Sequence, residues 1–321
     1  MTEPLTHALH SRGARLTVAA LPWVAPIYRC MPHVDDVLEL PFQHRKLDWS
    51  TRRELGRTLR GCYDVAYVCP NSFKSALLPW LAKIPHRIGY VGEGRWALLN
   101  SRRPNPSRDH RTSMVEHYLG LLAHTTEPER GRQPQLCVPK GLQGTLLAKY
   151  SLIKHTYVAL IPGAEYGPAK RWPAEHYAAL AASVPNPIVL LGSGKEMDLC
   201  QAIVTQAAAQ GKACLSLAGE TSLIDAVHLI EGARVVVSND SGLMHVAAAL
   251  GRPQIAIFGS SSPLHTPPLN PKANVIWLKD DPDYNPPLEC APCFERECRY
   301  HHIRCLHDIK PSDVQVMLSK L

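Results

Sequence analysis

Apolar, strand-like runs alternate with helical segments most clearly in the second half of the chain. The runs Tyr157–Ile161, Ile188–Leu191 and Val235–Val237 are short and rich in β-branched or aliphatic residues. They are followed by segments with the spacing of small and apolar residues that is typical of helices, such as Ala174–Ser183 and Gly242–Leu250. Strands that alternate with helices predict βαβ units and a parallel sheet.

The first half shows the same alternation less regularly. It includes a predicted helix at Thr2–His10 and a predicted strand at Val65–Cys69, and the segment Gln133–Leu152 has the composition of a linker. We therefore predict an α/β protein with two doubly wound domains, 1–150 and 151–321, and a cleft between them.

The start of the chain departs from this pattern. A doubly wound domain normally opens with a strand and a glycine-rich turn that leads into its first helix. Here the predicted helix Thr2–His10 comes first, with Met1 at its first turn. We therefore expect the first strand of the N-terminal domain to be missing.

Composition narrows the kinds of partner. Hydrophobic residues make up 45% of the 321 residues and charged residues 20%, as in a globular domain. The formal net charge of +7 suits an anionic partner such as nucleic acid, anionic lipid or a phosphorylated glycan. Because the basic residues are scattered, nucleic acid is the weakest of these options. The apolar runs are too short to span a bilayer and no signal peptide is visible, so we expect a cytoplasmic protein.

The stretch RVVVSNDSGLMHVAAA, residues 234–249, carries the clearest sign of chemistry. A β-branched run ends at a polar turn and a helix begins at once, so unpaired backbone N–H groups face the turn. Ser241 can cap that helix, and Gly242 lets a ligand approach closely. Asp240 and His245 add titratable groups beside the same turn. The pattern predicts a site for a phosphorylated ligand, and an ordinary capped turn is the alternative.

A second motif, IPGAEYGPAKRWP at residues 161–173, follows the predicted strand Tyr157–Ile161. Its glycines, Gly163 among them, and its prolines make a rigid loop at the carboxyl end of the sheet, where open α/β sheets bind ligands. Lys170 and Arg171 are suited to phosphate oxygens. Two solvated cations before a helix would give the same pattern.

A third strand-to-turn motif, LGSGKEMD at residues 191–198, supplies the carboxylate of Glu196. Acidic residues hold ribose hydroxyls in nucleotide sites, and a plain capped turn is again the alternative. Since the three turns follow strands of one predicted sheet, we expect them to converge on a pocket for a nucleotide diphosphate.

In the first half, NSFKS at residues 71–75 follows the predicted strand Val65–Cys69 in the same way. Asn71, Ser72 and Lys74 are therefore expected at the facing edge of the cleft, where an acceptor would bind. A charged helix face is usually only solvated, but nearby cations are also candidates for gripping acceptor phosphates: Arg45, Lys46, Arg52 and Arg53.

Four of the ten cysteines form a cluster near the C-terminal end, within CAPCFERECRYHHIRC: Cys290, Cys293, Cys298 and Cys305. His301, His302 and His307 lie in or beside this segment, and thiols with imidazoles make zinc conceivable. The spacing is irregular for a zinc finger or ribbon. We therefore favour a reduced, locally packed loop and predict no metal.

Three stretches carry a resemblance to a known family: NSFKSALLPWLAKIPHRIGYVGEGRWALLN, PGAEYGPAKRWP and NDSGLMHVAAALGRPQIAIFGSSSP. They resemble bacterial ADP-heptose:lipopolysaccharide heptosyltransferases, above all heptosyltransferase II, and the resemblance covers essentially the whole chain. It implies two facing Rossmann-like domains, the GT-B fold. It also implies that the C-terminal domain binds ADP-heptose and the N-terminal domain binds an inner-core glycan acceptor.

The resemblance implies roles for single residues as well. Lys170 would stabilise the departing ADP, Glu196 would hold the ribose, and His245 would lie close behind the diphosphate. Three residues of the turn would meet that diphosphate: Asp240, Ser241 and Gly242. These enzymes use no metal or other cofactor, so cationic side chains and the helix N-terminus must neutralise the leaving group.

In this family, an aspartate in the loop after the first strand is the general base. The expected absence of that strand would remove the base and make catalysis by the 321-residue chain doubtful.

The implied activity is inverting transfer of L-glycero-D-manno-heptose from ADP-heptose to the first heptose of heptosyl-Kdo2-lipid A, in the lipopolysaccharide biosynthesis of Gram-negative bacteria. One alternative is a heptosyltransferase I- or III-like enzyme with another core acceptor. Another is a binding-only remnant that holds an ADP-sugar without turnover. Because the acceptor is a lipid, we expect peripheral contact with the inner face of the inner membrane, and no nucleic-acid partner.

Overall fold

The computed structural model describes residues 1–42, 46–106, 112–123, 131–139 and 141–321, which form two compact units. The N-terminal unit contains Met1–Arg29 and His33–Arg132, and the C-terminal unit contains Cys30–Pro32 and Gln133–Leu321. The change of unit after Arg132 comes earlier than the boundary of 150/151 expected from the sequence.

Helices and strands alternate along the N-terminal unit, as the sequence pattern predicts. Its described helices are α1 (Glu3–Ser11), α2 (Ala25–Arg29), α3 (Trp49–Thr58), α4 (Phe73–Leu81) and α5 (Met114–Leu119). Its strands are β1 (Thr17–Ala20), β2 (Asp36–Glu39), β3 (Val65–Val68), β4 (His86–Tyr90) and β5 (Ser101–Arg103). All described strand pairs are parallel, but they belong to two sheets, one of β1 and β2 and one in the order β3-β4-β5.

The C-terminal unit is a single doubly wound layer structure. Its helices are α6 (Leu142–Lys149), α7 (Ala174–Ser183), α8 (Met197–Ala208), α9 (Leu223–Gly232), α10 (Gly242–Ala249), α11 (Arg304–His307) and α12 (Pro311–Leu318). Its strands are β6 (Val158–Ile161), β7 (Ile188–Leu190), β8 (Cys214–Ser216), β9 (Val235–Asn239), β10 (Gln254–Ile257) and β11 (Ala273–Ile276). Within the described ranges, none of the helices has both the length and the apolar character needed to cross a bilayer.

The six C-terminal strands form one parallel sheet in the order β11-β10-β9-β6-β7-β8. The first strand of the unit, β6, is central, and the chain runs from it to β7 and β8 on one side before returning to β9 on the other. The strand order therefore reverses between β6 and β9. In open α/β sheets a ligand binds at the carboxyl ends of the strands at this point.

The two units differ in what occupies the sheet centre. In the C-terminal unit β6 joins the two halves of the sheet, and its neighbours β7 and β9 are buried along their whole length. Among the described N-terminal residues no strand takes that place, and β1 and β3 each include an exposed residue.

The C-terminal core explains why the loops beyond β6 and β9 hold a fixed shape. Trp172 and Tyr177 are fully buried, with their rings edge to face at 4.8 Å between centroids. The Trp172 indole N–H donates to the carbonyl of Ile309 at 3.0 Å, which satisfies its one polar atom and ties the start of α7 to the chain end. Val314 and Leu318 of α12 complete this core.

The prediction that the segment Gln133–Leu152 is a linker was wrong for much of its length, because α6 lies within it. Leu147 is buried, and Gln143 donates to the carbonyl of His228 at 3.2 Å, so α6 packs on α9 of the C-terminal unit. This docking explains the earlier unit boundary. The short elements α2, β5 and β11 were also not predicted, because three to five residues carry too little periodicity.

Candidate functional site

The loops after β6 and β9 meet through an ion pair at the point where the strand order reverses. The Lys170 ammonium Nζ lies 2.5 Å from Asp240 Oδ2. Their side chains are 18% and 5% exposed, so water screens the pair less than it would at the surface. The structure thus brings together the two motifs that the sequence analysis placed in one pocket.

Asn239, the last residue of β9, fixes the relative position of these two loops. Its Oδ1 accepts from the Trp172 backbone N–H at 3.0 Å and from the Tyr177 hydroxyl at 3.1 Å. Its Nδ2 donates to the Pro162 carbonyl at 2.6 Å. The side chain is fully buried and connects segments distant in sequence, which is why sequence reasoning missed it.

The lysine loop, defined here as residues 163–171, is also held by hydrogen bonds to residues much later in the chain. The Ala169 N–H donates to the Arg296 carbonyl at 3.1 Å, and the Tyr166 hydroxyl donates to the Phe294 carbonyl at 3.1 Å. Tyr166 also makes a cation–π contact with Lys170, whose Nζ lies 5.6 Å from the centroid of the tyrosine ring. A side chain at Gly167 would collide with the Arg296 carbonyl oxygen, so this approach requires glycine.

The start of α10 has the features predicted for an anion site. Ser241 is the N-cap, and its hydroxyl accepts from the Met244 N–H at 3.4 Å. Gly242 is exposed, and a Cβ built there would meet no atom within 4 Å. The space beside the first turn of α10 is therefore open, and the first-turn N–H groups and the helix dipole favour an anion there.

His245 lies in the same turn of α10 and is half-buried. Burial, assisted by the nearby Lys170 ammonium and opposed by Asp240, lowers the pKa of His245 below its ordinary value. The ring is therefore neutral near pH 7 and does not add a second positive charge beside Lys170.

Glu196 lies next to Gly163, where a Cβ would come within 2.6 Å of its Cγ. The carboxylate is buried, and its Oε2 accepts from the Ser193 N–H at 2.8 Å and from the Ser193 hydroxyl. This is a capping box, the alternative that the sequence left open. Glu196 stands at the correct edge of the sheet, and its ribose-binding role stays a prediction.

Arg171, the second cation of the lysine loop, points back into that loop. It is half-buried, and its terminal nitrogen donates to the Ala164 carbonyl at 3.3 Å. Unlike Lys170, it makes no ion pair among the described residues.

The segment after β10 contributes hydroxyls that the sequence analysis did not assign to the site. Ser260, Ser261 and Ser262 are all buried, at 1%, 2% and 6% exposure. The hydroxyl oxygens of Ser260 and Ser261 have no hydrogen-bond partner in the described part of the chain. Since β10 neighbours β9, these hydroxyls follow the next strand end along the same edge. The signal in the sequence was the run GSSSP directly after a strand.

The predicted acceptor residues lie in the N-terminal unit, where Arg95 organises them. Arg95 is fully buried and donates to the Pro70 carbonyl, to Tyr90 O at 2.8 Å and to Asn71 Oδ1 at 2.9 Å. Asn71 is exposed, and Ser72 is the N-cap of α4 and is half-buried. Arg95 was missed because its partners lie in a different segment.

Arg52 is a correction to the acceptor-site prediction. It is buried, its Nε donates to Leu47 O at 2.7 Å, and its NH1 donates to Lys74 O at 3.0 Å. Its guanidinium also lies 3.8 Å from the Phe42 ring centroid. Arg52 therefore holds the backbone of its own unit and is not available to grip a phosphate. Lys74 itself is half-buried, and Arg45 lies outside the described residues.

The four-cysteine cluster is brought together by the fold. All four side chains are half-buried and contain free thiols. Burial, together with the charges of the other three cysteines, raises the pKa of Cys305 to about 12. The cluster lies in residues 277–303 and at the start of α11, and the same segment contacts the lysine loop through Phe294 and Arg296.

Comparison with known proteins identifies the class of protein that this fold and site define. The model of glycosyltransferase family 9 (heptosyltransferase) matches residues 52–304. The chain belongs to this family and is a glycosyltransferase enzyme, as the resemblance indicated.

The similar proteins narrow the class further. Lipopolysaccharide heptosyltransferase 2 of Salmonella typhimurium strain LT2 is 43% identical over 293 residues, which is 87% of this chain and 84% of that protein. Lipooligosaccharide heptosyltransferase 2 of Haemophilus influenzae is 39% identical over 85% of this chain and 84% of its own. The structure of E. coli ADP-heptose lps heptosyltransferase II superposes with a TM-score of 0.81 at 38% identity, covering 99% of this chain and 93% of that one. The predicted α/β fold class with parallel sheets is confirmed.

Proposed function

We propose that this enzyme transfers L-glycero-D-manno-heptose from ADP-heptose to the first heptose of the lipopolysaccharide inner core. The observation that carries the proposal is the Lys170–Asp240 pair beside the open N-terminus of α10. A cation, a helix N-terminus and a carboxylate at one sheet edge can bind a diphosphate and a sugar hydroxyl together. The similarity to heptosyltransferase 2 enzymes supports this choice of sugar and acceptor.

The donor's diphosphate would lie against the first turn of α10. The N–H groups beyond Ser241 and the open space at Gly242 favour an anion there, and the buried hydroxyl of Ser261 is a further donor. Lys170 would turn from Asp240 to the phosphate oxygens. Its ammonium and the helix N-terminus would then neutralise the leaving ADP without a metal ion.

In the transfer step, an acceptor hydroxyl oxygen bonds to the anomeric carbon while that carbon's bond to the β-phosphate oxygen of ADP breaks. The anomeric configuration inverts, and a general base takes the hydroxyl proton. Lys170 would stabilise the negative charge that grows on ADP. His245, neutral near pH 7, would contribute a hydrogen bond.

The acceptor would bind the N-terminal unit through the exposed turn at Asn71 and the start of α4. This unit also exposes four tryptophans, at 42–69% of their surface: Trp23, Trp49, Trp80 and Trp96. Tryptophan favours the interface between lipid and water. We therefore propose a cytoplasmic enzyme that contacts the inner face of the inner membrane peripherally.

An ADP-release assay tests this function. Heptosyl-Kdo2-lipid A should support ADP release, and Kdo2-lipid A, which lacks the first heptose, should not. Lys170→Ala should lower kcat by about 100- to 1000-fold. The control is Lys154→Ala, which removes an ion pair with Glu231 away from the carboxyl ends of the strands and should leave kcat unchanged.

Three results would contradict the proposal. Faster turnover with Kdo2-lipid A would indicate a heptosyltransferase I-like acceptor instead. ADP-heptose binding without any ADP release would indicate a binding-only form. Equal losses of stability and activity in Lys170→Ala would show that the lysine is only structural.

A further inference from the structure

Residues 277–303 contain no helix or strand, although they pack against the donor-site loops. Connections longer than about 12–15 residues without secondary structure are uncommon in compact domains. Here the Phe294 N–H donates to the Ser260 carbonyl at 2.7 Å, and Ala169 N–H donates to the Arg296 carbonyl at 3.1 Å. Something must hold so long a segment in a fixed path against these loops.

The four-cysteine cluster lines one small cavity beside that path. Ala169 of the lysine loop, Ser260 after β10 and His302 line the same cavity. The spacing is Cys-x2-Cys-x4-Cys-x6-Cys, so the first pair has the short separation common in thiolate metal sites. The structure adds to this spacing, because it places all four cysteines around one cavity.

We propose that the four-cysteine cluster binds one Zn²⁺ ion, which fixes residues 277–303 against the lysine loop. The four thiols would lose their protons and coordinate the ion tetrahedrally, at Zn–S distances of about 2.3 Å. This is a structural site, separate from the transfer reaction. It goes beyond the proposed function and replaces the expectation that these cysteines bind no metal.

The sulfur atoms surround the cavity without meeting at one point. Among the described residues, the group whose three possible ligand atoms all lie within 4.8 Å of one another consists of Glu3, His7 and His33 in the N-terminal unit. Binding at the cysteines therefore requires the side chains to rotate inward. The cluster at Glu3 is the poorer cation site, because the Arg132 guanidinium lies 3.8 Å from its carboxylate.

Metal analysis of the purified full chain, prepared under reducing conditions without added metal, tests the proposal. We expect about one zinc per chain in the wild type. The Cys290→Ser/Cys293→Ser and Cys298→Ser/Cys305→Ser variants should lose it. Cys62→Ser and Cys137→Ser, which change exposed cysteines elsewhere, should retain it.

A second measurement uses only the wild-type chain, so it tests the proposal even if the cysteine variants do not fold. Co²⁺ added to the metal-stripped wild-type chain should produce thiolate-to-cobalt absorption, and Zn²⁺ should displace it. A folded wild-type chain that holds no zinc and shows no such absorption overturns the proposal. Zinc that persists in both double variants, or disulfides among the four cysteines under the same reducing conditions, also overturns it.

Discussion

Asn239 illustrates how one buried side chain sets the geometry of the candidate site by joining the segments around it. Its three hydrogen bonds join the end of β9 to Pro162, Trp172 and Tyr177. Removing a buried partner leaves the remaining polar groups unsatisfied, which costs more than the hydrogen bonds themselves contribute.

Asn239→Ala should therefore lower the free energy of unfolding by about 2–4 kcal/mol. Urea denaturation followed by circular dichroism measures this change. The control is Asn274→Ala, at an exposed position in β11, which should change stability by less than about 0.5 kcal/mol. Similar losses in the two variants would show that the network around Asn239 is not cooperative.

His228 provides a test of pH dependence. Its ring is fully buried, and neither ring nitrogen has a hydrogen-bond partner in the described part of the chain. Burial, opposed by Asp225 and Glu231, lowers the pKa of His228. Because its pKa in the folded chain lies below the unfolded value of about 6.5, the unfolded chain takes up a proton first as the pH falls. The histidine therefore costs stability below about pH 6.5.

His228→Leu should make the unfolding free energy less sensitive to acid between about pH 7 and about pH 5. Urea titrations at several pH values measure this slope. His301→Leu, at an exposed position, should keep the wild-type slope. A slope that His228→Leu leaves unchanged would contradict the assignment.

At the scale of elements, two glycines at the same sheet edge should behave in opposite ways. A Cβ at Gly167 would strike the Arg296 carbonyl oxygen, whereas a Cβ at Gly242 would enter open space. Gly167→Ala should therefore reduce the free energy of unfolding by about 1–3 kcal/mol. Gly242→Ala should leave stability within about 0.5 kcal/mol of wild type.

The same two glycine variants distinguish an effect on folding stability from an effect on ligand binding. If the diphosphate lies at the first turn of α10, Gly242→Ala should weaken ADP binding at least about tenfold, or about 1.4 kcal/mol. Isothermal titration calorimetry with ADP, beside thermal unfolding, provides both measurements. Unchanged ADP affinity in Gly242→Ala would show that the diphosphate does not bind at the first turn of α10.

The central strands of the C-terminal sheet could be read from the sequence for a physical reason. β6 and β9 are buried on both faces, so they appear as continuous apolar runs that end abruptly at polar turns. The positions of Lys170 and Asp240 followed from those ends. The prediction of a linker where α6 lies was wrong because Gly141 and Gly144 weaken the helical pattern of that segment. Only the packing of α6 on α9 stabilises it as a helix.

Tertiary contacts account for the site residues that sequence reasoning misplaced. Arg52 and Arg95 are both cations in polar stretches, and the sequence does not show that folding buries them against backbone carbonyls. Their partners come from separate segments of the N-terminal unit. Spacing along one chain cannot distinguish such a structural arginine from a phosphate-binding one.

At the scale of the whole molecule, a net charge of +7 and exposed tryptophans suit an anionic lipid surface. Trp23 and Trp96 are exposed over 69% and 63% of their surface. Each of Trp23→Ser and Trp96→Ser should lower binding to vesicles that contain phosphatidylglycerol, by about tenfold where the indole enters the interface.

Vesicle co-sedimentation at low and at high salt measures this effect. Tyr300→Ser is the matched control, since Tyr300 is an aromatic residue of the C-terminal unit with a similar exposure, 57%. An equal loss in all three variants would show that the N-terminal unit has no special role at the membrane. Binding that high salt does not weaken would argue against attraction by charge.

The ion pair of Lys170 and Asp240 has a consequence for selectivity. Each charge of the pair already has its partner, so a bare phosphate that draws Lys170 away would leave a buried carboxylate alone. A ligand that carries both a phosphate and a sugar hydroxyl satisfies both groups at once. The pair would therefore discriminate in favour of the intact sugar nucleotide. It would also re-form once the sugar has left, which would help to expel the spent nucleotide.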